Sequence, residues 1–356
     1  MYGPKAASHR VRLAQFRSFL REKDVRLKIQ SLLGNGYLRA KFAFQKPGLF
    51  LLVKLYYRRL KNLLRFRRKF PAIVHAELFP GLPAWLELLL LPKKFIYDLD
   101  DAMFLKTRFW FPPVIRQLLV GKIYRIMKHA QAVTAGSRYL CEQARRMNRV
   151  VVYLPSSVNT RDYCPVPRSE NGEFTIGWVG SPSTENYLNL IYEPLAQLAA
   201  ERPVRVVLVG GSFNKQSPGL MVEKLAWTRK AEPNHIRRFD VGVMPLPDDD
   251  WARGKCGYKL LTYMACGIPV VASRVGANID IVNPACGYLA SSTQDWLTAF
   301  RELQADPELR LRMGQAGRKR VCELFSIEAT APIFHRTLEE VFGEKNEDAP
   351  KERGKY

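Results

Sequence analysis

The stretch from Asp240 to Gly276, DVGVMPLPDDDWARGKCGYKLLTYMACGIPVVASRVG, constrains the fold more than any other part of the chain. Asp240–Leu246 is a short apolar run stopped by Pro245 and Pro247, which suits a buried parallel strand. The next residues, Pro247–Lys255, are polar, and Gly254 and Gly257 bracket a lysine. From Tyr258 onward Leu260, Leu261, Met264 and Ala265 fall at helical spacing, and Cys266-Gly267-Ile268-Pro269 ends the helix. Val270–Ala272 reads as the next strand. A glycine-bracketed loop opening a helix at the carboxyl end of a parallel strand is an anion site, because backbone N–H groups and the helix dipole point there. Lys255 and Lys259 lie four apart at that helix start, so the segment reads as a phosphate cradle with two cations.

Other segments repeat the alternation of strand and helix. Phe174–Gly180 (FTIGWVG) and Val204–Gly211 (VRVVLVGG) are strands ending in glycine turns. Ala132–Tyr139 (AVTAGSRY) and Val151–Asn159 (VVYLPSSVN) precede them, and Leu309–Glu328 (LRLRMGQAGRKRVCELFSIE) follows. In this order, and with the MACGIPVVAS block, the chain resembles the family 4 (group 1) retaining glycosyltransferases over nearly its whole length. The resemblance implies an α/β fold of the GT-B type, two Rossmann-like doubly wound domains facing across a cleft. It implies sugar transfer from a nucleotide-diphosphate sugar with retention of configuration, and neither a cofactor nor a metal. On the donor side it implies Gly180, Ser181, Gly210, Gly211, Arg253, Gly254, Lys255, Gly257, Tyr258, Lys259 and Thr262.

The chain also departs from the family. Most members carry two glutamates eight residues apart around the donor helix; those positions are Gly254 and Thr262 here. The loop Ser181–Asn186 holds no cation for the diphosphate, although the family places an arginine and a lysine there. The GKCGYKLL loop resembles a branch of the family that lacks the first glutamate. Neutralisation of the diphosphate then falls to Lys255, Lys259 and Arg253, with the larger loss expected for Lys255→Ala. Thr262 is expected to contribute little to ribose binding.

A polar, proline-bearing segment, Pro165–Gly172, marks a boundary between an acceptor-binding domain, 1–165, and a nucleotide-sugar-binding domain, 166–327. A last helix over 328–343 is expected to cross back to the first domain, and 344–356 to be a disordered tail. Six cysteines are scattered without metal-ligand or disulfide spacing, which points to a reducing compartment. No run of about 18 uncharged apolar residues is present, and no signal-peptide pattern opens the chain.

Charge is concentrated at the N-terminus: residues 1–70 hold 19 Lys/Arg against Glu22 and Asp24, a net +17. If Leu49–Phe70 is helical, Lys54, Arg58, Lys61, Arg65 and Arg68 make a basic stripe, and Leu52, Val53, Tyr56, Leu60, Leu63 and Leu64 an apolar stripe expected to face a sheet. Arg58, Lys61 and Arg65 are therefore read as contacts to an anionic membrane or acceptor. The expected location is cytoplasmic, peripheral on the inner face of the cell membrane, with a lipid-linked or cell-envelope glycan as acceptor. No nucleic-acid module accompanies the charge, so nucleic acid is not assigned as a partner.

At the start of the chain, a loop over residues 2–10 leads into a helix over Val11–Glu22, and residues 25–48 hold short strand-like pieces with a turn at Gly34-Asn35-Gly36. The family places a strand before that first helix, so the N-terminal domain reads as missing its first strand, with a mis-set start codon the favoured explanation and truncation the other. Pro71–Glu77 and Lys94–Leu99 are strands, and Ile115–His129 a helix. The second strand delivers Asp98, Asp100 and Asp101 at its carboxyl end, where open α/β sheets place their sites. Asp101 and Asp98 are the catalytic candidates, as groups that orient or deprotonate an acceptor hydroxyl; a helix cap or a salt bridge to the basic region is the alternative. His75 and Glu77 fit core or rim roles at least as well as acceptor contact, and for Arg10 and Arg12 solvation at the surface is the default, with reach to phosphate across the cleft the alternative. Two rival functions stand: a non-catalytic nucleotide-sugar-binding protein, suggested by Gly254 and Thr262, and a basic membrane- or nucleic-acid-binding scaffold.

Overall fold

The computed structural model of the protein describes residues 7–34, 48–66, 69–105, 117, 119–167 and 173–343. Among the described residues ten strands form two parallel sheets. The first holds β1 (Ala72–His75), β2 (Phe95–Leu99), β3 (Ala132–Ala135) and β4 (Val151–Tyr153) in sequential order. The second holds β5 (Thr175–Val179), β6 (Val204–Val209), β7 (Leu220–Leu225), β8 (Val241–Met244), β9 (Val270–Ser273) and β10 (Gly287–Ala290) in the order β10-β9-β8-β5-β6-β7. That order reverses between β5 and β8, so a crevice opens at their carboxyl ends.

Among the described residues of the first half the α-helices are α1 (Ala7–Arg12), α2 (Arg17–Glu22), α3 (Leu49–Phe66), α4 (Ala84–Leu90), α5 (Lys122–His129) and α6 (Arg138–Arg145). Among the described strands of the first sheet the order never reverses. Right-handed crossovers then place α4, α5 and α6 on one face, where Val74, Tyr97, Leu99 and Val133 pack with Leu90, Ile126 and Leu140. Two distant segments cover the other face. Leu13, Phe16 and Leu20 meet Ile96, Ala132 and Leu154, together with Ala331, Phe334 and Leu338 from the last helix. The rings of Phe16 and Phe334 lie 5.1 Å apart.

The second half adds α7 (Tyr192–Glu201), α8 (Glu232–Ile236), α9 (Asp250–Arg253), α10 (Tyr258–Ala265), α11 (Ala277–Ile281), α12 (Thr293–Ala305), α13 (Pro307–Leu324) and α14 (Ile327–Phe342). Its two cores lie on either side of the sheet, one built on Tyr263, Met264 and Phe239, the other on Trp178, Val206 and Phe300.

Several sequence expectations change. The helix expected over Val11–Glu22 starts earlier, at Ala7, and is interrupted by a 3-10 turn at Ala14–Phe16. The helix expected over Ile115–His129 begins anew at Lys122 after Gly121, whose φ of +70° breaks helical geometry; residues 106–116 and 118 lie outside the described residues. Residues 25–34 carry no named strand, and the turn expected at Gly34-Asn35-Gly36 runs beyond them. The expected tail, 344–356, and most of the linker, 168–172, also lie outside the described residues.

The apolar stripe of α3 divides. Leu55 and Arg59 are its buried side chains, with Leu52, Tyr56 and Leu63 half-buried beside them, whereas Val53, Leu60 and Leu64 face outward. Arg59 is inside because its guanidinium donates to the Gln30 carbonyl at 3.1 Å, and burial brings its pKa down to about 10 although Glu87 opposes this.

Candidate functional site

The carboxyl ends of the two sheets meet, where Asp101 of the first half contacts Lys255 of the second. β2 is buried along its whole length because it pairs with β1 on one side and β3 on the other. Its alternation sends Tyr97 and Leu99 to one face and Asp98 to the other, where Arg12 waits. Arg12 Nη2 donates to Asp98 Oδ1 at 2.6 Å and Nε to Oδ2 at 3.1 Å, Thr134 Oγ1 donates to Oδ1 at 2.7 Å, and His75 Nδ1 lies 2.8 Å from Oδ2. The remaining Arg12 nitrogen donates to the Leu154 carbonyl at 2.6 Å. Burial alone would raise the pKa of Asp98, but Arg12 and His75 more than offset it and hold the carboxyl well below the usual range. With a side chain 2% exposed and both oxygens engaged, Asp98 lies beneath the site and not in it. The expectation that Asp98 meets an acceptor is corrected: it anchors Arg12 and orients His75.

His75 is the residue that sequence reading undervalued. With Nδ1 against Asp98, its Nε2 faces Asp100 Oδ2 at 3.5 Å, so the imidazole sits between two carboxylates. The signal was available, since a histidine ending β1 must neighbour the residue ending β2 when parallel strands run in register; His75 pairs with Asp98.

Asp101 reaches the other half of the protein. Its Oδ1 accepts from Lys255 Nζ at 3.0 Å, and Cys256 Sγ donates to the Asp100 carbonyl at 3.0 Å. Burial and the neighbouring Asp100 push the Asp101 carboxyl up, while Lys255 pulls it down; the net direction is up. The carboxylate expected on the acceptor side and the lysine expected on the donor side are thus partners across the junction.

The donor loop is built for this approach. Asp249 caps α9 by accepting from Ala252 N at 2.7 Å. Gly254 then lies so close to the segment after β2 that a Cβ there would stand 2.5 Å from that of Ala102. Gly257 takes φ +67° and turns the chain into α10. Lys255 packs over the Trp251 ring at 4.8 Å. Lys259, one turn later, lies 4.3 Å from the centre of the Trp178 ring and 3.5 Å from Thr184 Oγ1. Among the described residues no carboxylate forms an ion pair with it. Burial, and then the charge of Lys255, lower the pKa of Lys259 to about 7.

Gly180 and Ser181 follow β5, and Gly210 and Gly211 follow β6. The two turns are tied together by Glu185, which accepts from Ser212 N at 2.7 Å and from Ser212 Oγ at 3.0 Å. Gly210, at φ +84°, passes so close to the Gly180 carbonyl that a Cβ would stand 2.5 Å from it. These turns and α10 share the switch-point crevice, with Thr184 linking them to Lys259.

Three expected donor residues turn away. Arg253 is paired on its own loop with Asp248 at 2.7 Å and Asp250 at 3.6 Å. Thr262 is 1% exposed and its hydroxyl donates to the Lys259 carbonyl at 2.8 Å, inside its own helix. The Tyr258 hydroxyl joins Tyr163 near Glu232; burial, then Glu232, raise its pKa. Arg58, Lys61 and Arg65 are exposed on α3 and belong to a separate surface. Among the described residues no group of three His, Cys, Asp or Glu side chains is placed to hold a metal ion, and no helix is long and apolar enough to cross a membrane.

Residues 173–306, which contain both glycine turns and the donor loop, match the family described as "Glycosyl transferases group 1". The chain is similar to a D-inositol 3-phosphate glycosyltransferase of Corynebacterium jeikeium, 27% identical over 187 residues, 47% of this chain and 43% of that protein. It is also similar to a protein of the same description from Pseudarthrobacter chlorophenolicus, 37% identical over 97 residues, 26% of this chain and 20% of that protein. The chain spans less than half the length of either relative. Among solved structures it is similar to sucrose-phosphate synthase from Thermosynechococcus elongatus, with TM-score 0.62 and 19% identity over 84% of this chain and 81% of that one. Anabaena HepE in complex with UDP and glucose is similar too, with TM-score 0.62 and 15% identity over 90% of this chain and 88% of that one. These likenesses establish the fold: mixed α/β with parallel sheets, in two Rossmann-like halves of the GT-B type.

Proposed function

We propose that the protein is a glycosyltransferase that moves a sugar from a nucleotide-diphosphate sugar to a glycan or lipid-linked acceptor with retention of configuration. The observation that carries this reading is Lys259. A lysine brought down to about 7 by burial and by a second lysine is held in an unfavourable state until an anion arrives. A diphosphate between Lys255 and Lys259 supplies that anion, at the start of a helix whose N–H groups face the same point. The family match over residues 173–306, and relatives named as glycosyltransferases, support the same chemistry.

In this reading the two lysines stabilise charge on the departing diphosphate, which takes the acceptor proton as the reaction retains configuration. Asp101 releases Lys255 to the diphosphate and orients the acceptor hydroxyl. Asp98 and Arg12 hold His75 at the floor of the site. Residues 1–165 form the acceptor-binding domain and 166–327 the donor domain, and α14 ties the second to the first through Phe334. With glycine and threonine at positions 254 and 262 the chain resembles a branch without the glutamate pair, which supports a reading in which ribose is held by other groups. The protein works at an anionic membrane face on the cytoplasmic side, to which Arg58, Lys61 and Arg65 draw it.

A thermal-shift screen with UDP-, GDP-, ADP- and TDP-sugars tests the reading. A ligand at 100 times its dissociation constant stabilises the fold by about 2.7 kcal/mol. One nucleotide class is expected to raise the melting temperature and to lose that effect in Lys259→Ala. A flat response to all four classes would reject donor binding. Binding without turnover over a crude acceptor extract would favour a nucleotide-sugar-binding protein instead.

A further inference from the structure

The helix α3 presents an unusual outer surface. On its inner side Tyr56 and Leu63 pack against the core of the first sheet, Leu52 and Leu55 pack with Leu32 and Leu33, and Arg59 bonds the Gln30 carbonyl. At about 100° per residue, the remaining side divides lengthwise into two strips. One strip is apolar and exposed: Phe50, Val53, Tyr57, Leu60 and Leu64, with Phe50 83% and Tyr57 67% in solvent. The other is cationic: Lys54, Arg58, Lys61 and Arg65, all exposed. The neighbouring α4 also exposes apolar side chains, Trp85 and Leu89, 64% and 63% in solvent and one turn apart. Leu89 also lines a cavity of about 940 Å³, together with Phe70, Leu88 and Phe95 and with Lys69, Lys93 and Lys94. Apolar side chains and cations thus run side by side on α3, and apolar side chains and lysines also line the nearby cavity. Contiguous exposed apolar surface of this kind marks an interaction site.

We propose that this flank is a bilayer-insertion surface, in which α3 lies in the plane of an anionic membrane with Phe50, Val53, Tyr57, Leu60 and Leu64 sunk into the acyl boundary. It rests on the membrane-face reading above and deepens it, from attraction by charge to insertion by apolar burial. Charge complementarity selects the occupant. A helix with an apolar strip beside a row of cations matches an interface of anionic headgroups over hydrocarbon, and the nearby cavity likewise combines apolar side chains with lysines. A second copy of this chain would instead bring its own cations against these, at like-charge cost.

Co-sedimentation with phosphatidylcholine vesicles, with and without phosphatidylglycerol, tests the proposal. Salt separates the two components, because the screening length falls to about 3 Å at 1 M. Wild-type protein is expected to bind anionic vesicles at low salt and to retain a bound fraction at about 1 M salt. The joint variant Phe50→Ser, Tyr57→Ser, Leu64→Ser should lose that salt-resistant fraction while still adsorbing at low salt. The joint variant Lys54→Glu, Arg58→Glu, Lys61→Glu, Arg65→Glu should fail to bind at low salt. Acyl-chain-brominated lipid should quench tryptophan fluorescence in the wild type, and Trp85→Phe should remove most of the quenching. Complete release of wild-type protein at high salt, unaltered binding by the serine variant, or absence of quenching each overturns the proposal. So does a wild-type dimer by light scattering that the serine variant converts to monomer. Nucleotide binding measured by calorimetry on the same samples keeps the two readings apart: its loss in the wild type would sink the transferase reading and leave insertion standing.

Discussion

Two buried cations in this protein sit in opposite circumstances. Arg12, in the first half, is satisfied on every side by Asp98 and the Leu154 carbonyl. Lys259, in the second half, has an aromatic ring, a threonine hydroxyl and another lysine around it. Both lie at the carboxyl end of a parallel sheet. The first keeps its charge at all working pH values and its pKa is raised by Asp98 in spite of burial; the second hovers near neutrality. A cation that the fold has already paired does structural work. A cation that the fold leaves with only neutral and like-charged neighbours awaits a ligand.

Breaking the paired side should have the largest effect. Asp98→Ala strands Arg12 in the interior and is expected to cost about 3–5 kcal/mol of stability, read from urea unfolding at neutral pH. The folded pKa of Asp98 is depressed, so its contribution is present above the ordinary carboxylate value and fades as pH falls toward the folded one. The gap between wild type and variant should therefore narrow below about pH 4. A variant as stable as wild type would show that the pair is not structural.

The unpaired side should break differently. Lys259→Ala is expected to weaken nucleotide-diphosphate binding by about 1.5–3 kcal/mol, the range for a hydrogen bond to a charged group, without loss of folding stability. Removing a cation whose protonation the native state disfavours should raise stability slightly at and below neutral pH. Calorimetry supplies a second reading. Diphosphate binding draws a proton onto Lys259, so affinity should fall as pH rises through about 7, and the heat should depend on buffer ionisation. No proton uptake would place the diphosphate elsewhere.

Lys255 lies between these extremes, since Asp101 shares its charge. Lys255→Ala should weaken donor binding less than Lys259→Ala does, the reverse of the ranking expected from sequence. Asp101→Asn should leave donor affinity at or a few-fold above wild type, because Lys255 is released, while transfer falls. Loss of donor binding in that variant would move Asp101 to the nucleotide side. The smallest effect belongs to Thr262→Val: its hydroxyl bonds only within α10, so discrimination between ribose and 2′-deoxyribose donors should not change. A collapse of that discrimination would restore Thr262 to the site.

Much of this arrangement was legible in the linear chain. β8, Gly257 and α10 fall where the proline stops, glycines and apolar spacing of Asp240–Gly276 put them, within a residue or two. Lys255 and Lys259 were read as two cations of one cradle from their spacing; in the structure Lys255 pairs with Asp101, and Lys259 lies over Trp178 and feels the charge of Lys255. Periodicity and turn chemistry are local, and the sheet at this point adds nothing that contradicts them.

What escaped the sequence was decided by contacts between distant segments. Asp98 was read as a site residue because of its place at the end of β2; Arg12, 86 residues away, makes it an anchor. Asp101 and Lys255 were assigned to opposite sides of a cleft, and a separation of 154 residues hid their ion pair. On α3 the residue types fixed a helix with apolar and basic strips, but not its rotation. Packing beside Gln30 turned Arg59 inward and left Val53, Leu60 and Leu64 in solvent. Local sequence sets which backbone form is cheapest, because that depends on neighbours a few bonds away. Which side of a helix is buried, and which charge finds a partner, depends on surfaces that exist only once both sheets and α14 have closed around the N-terminal helices.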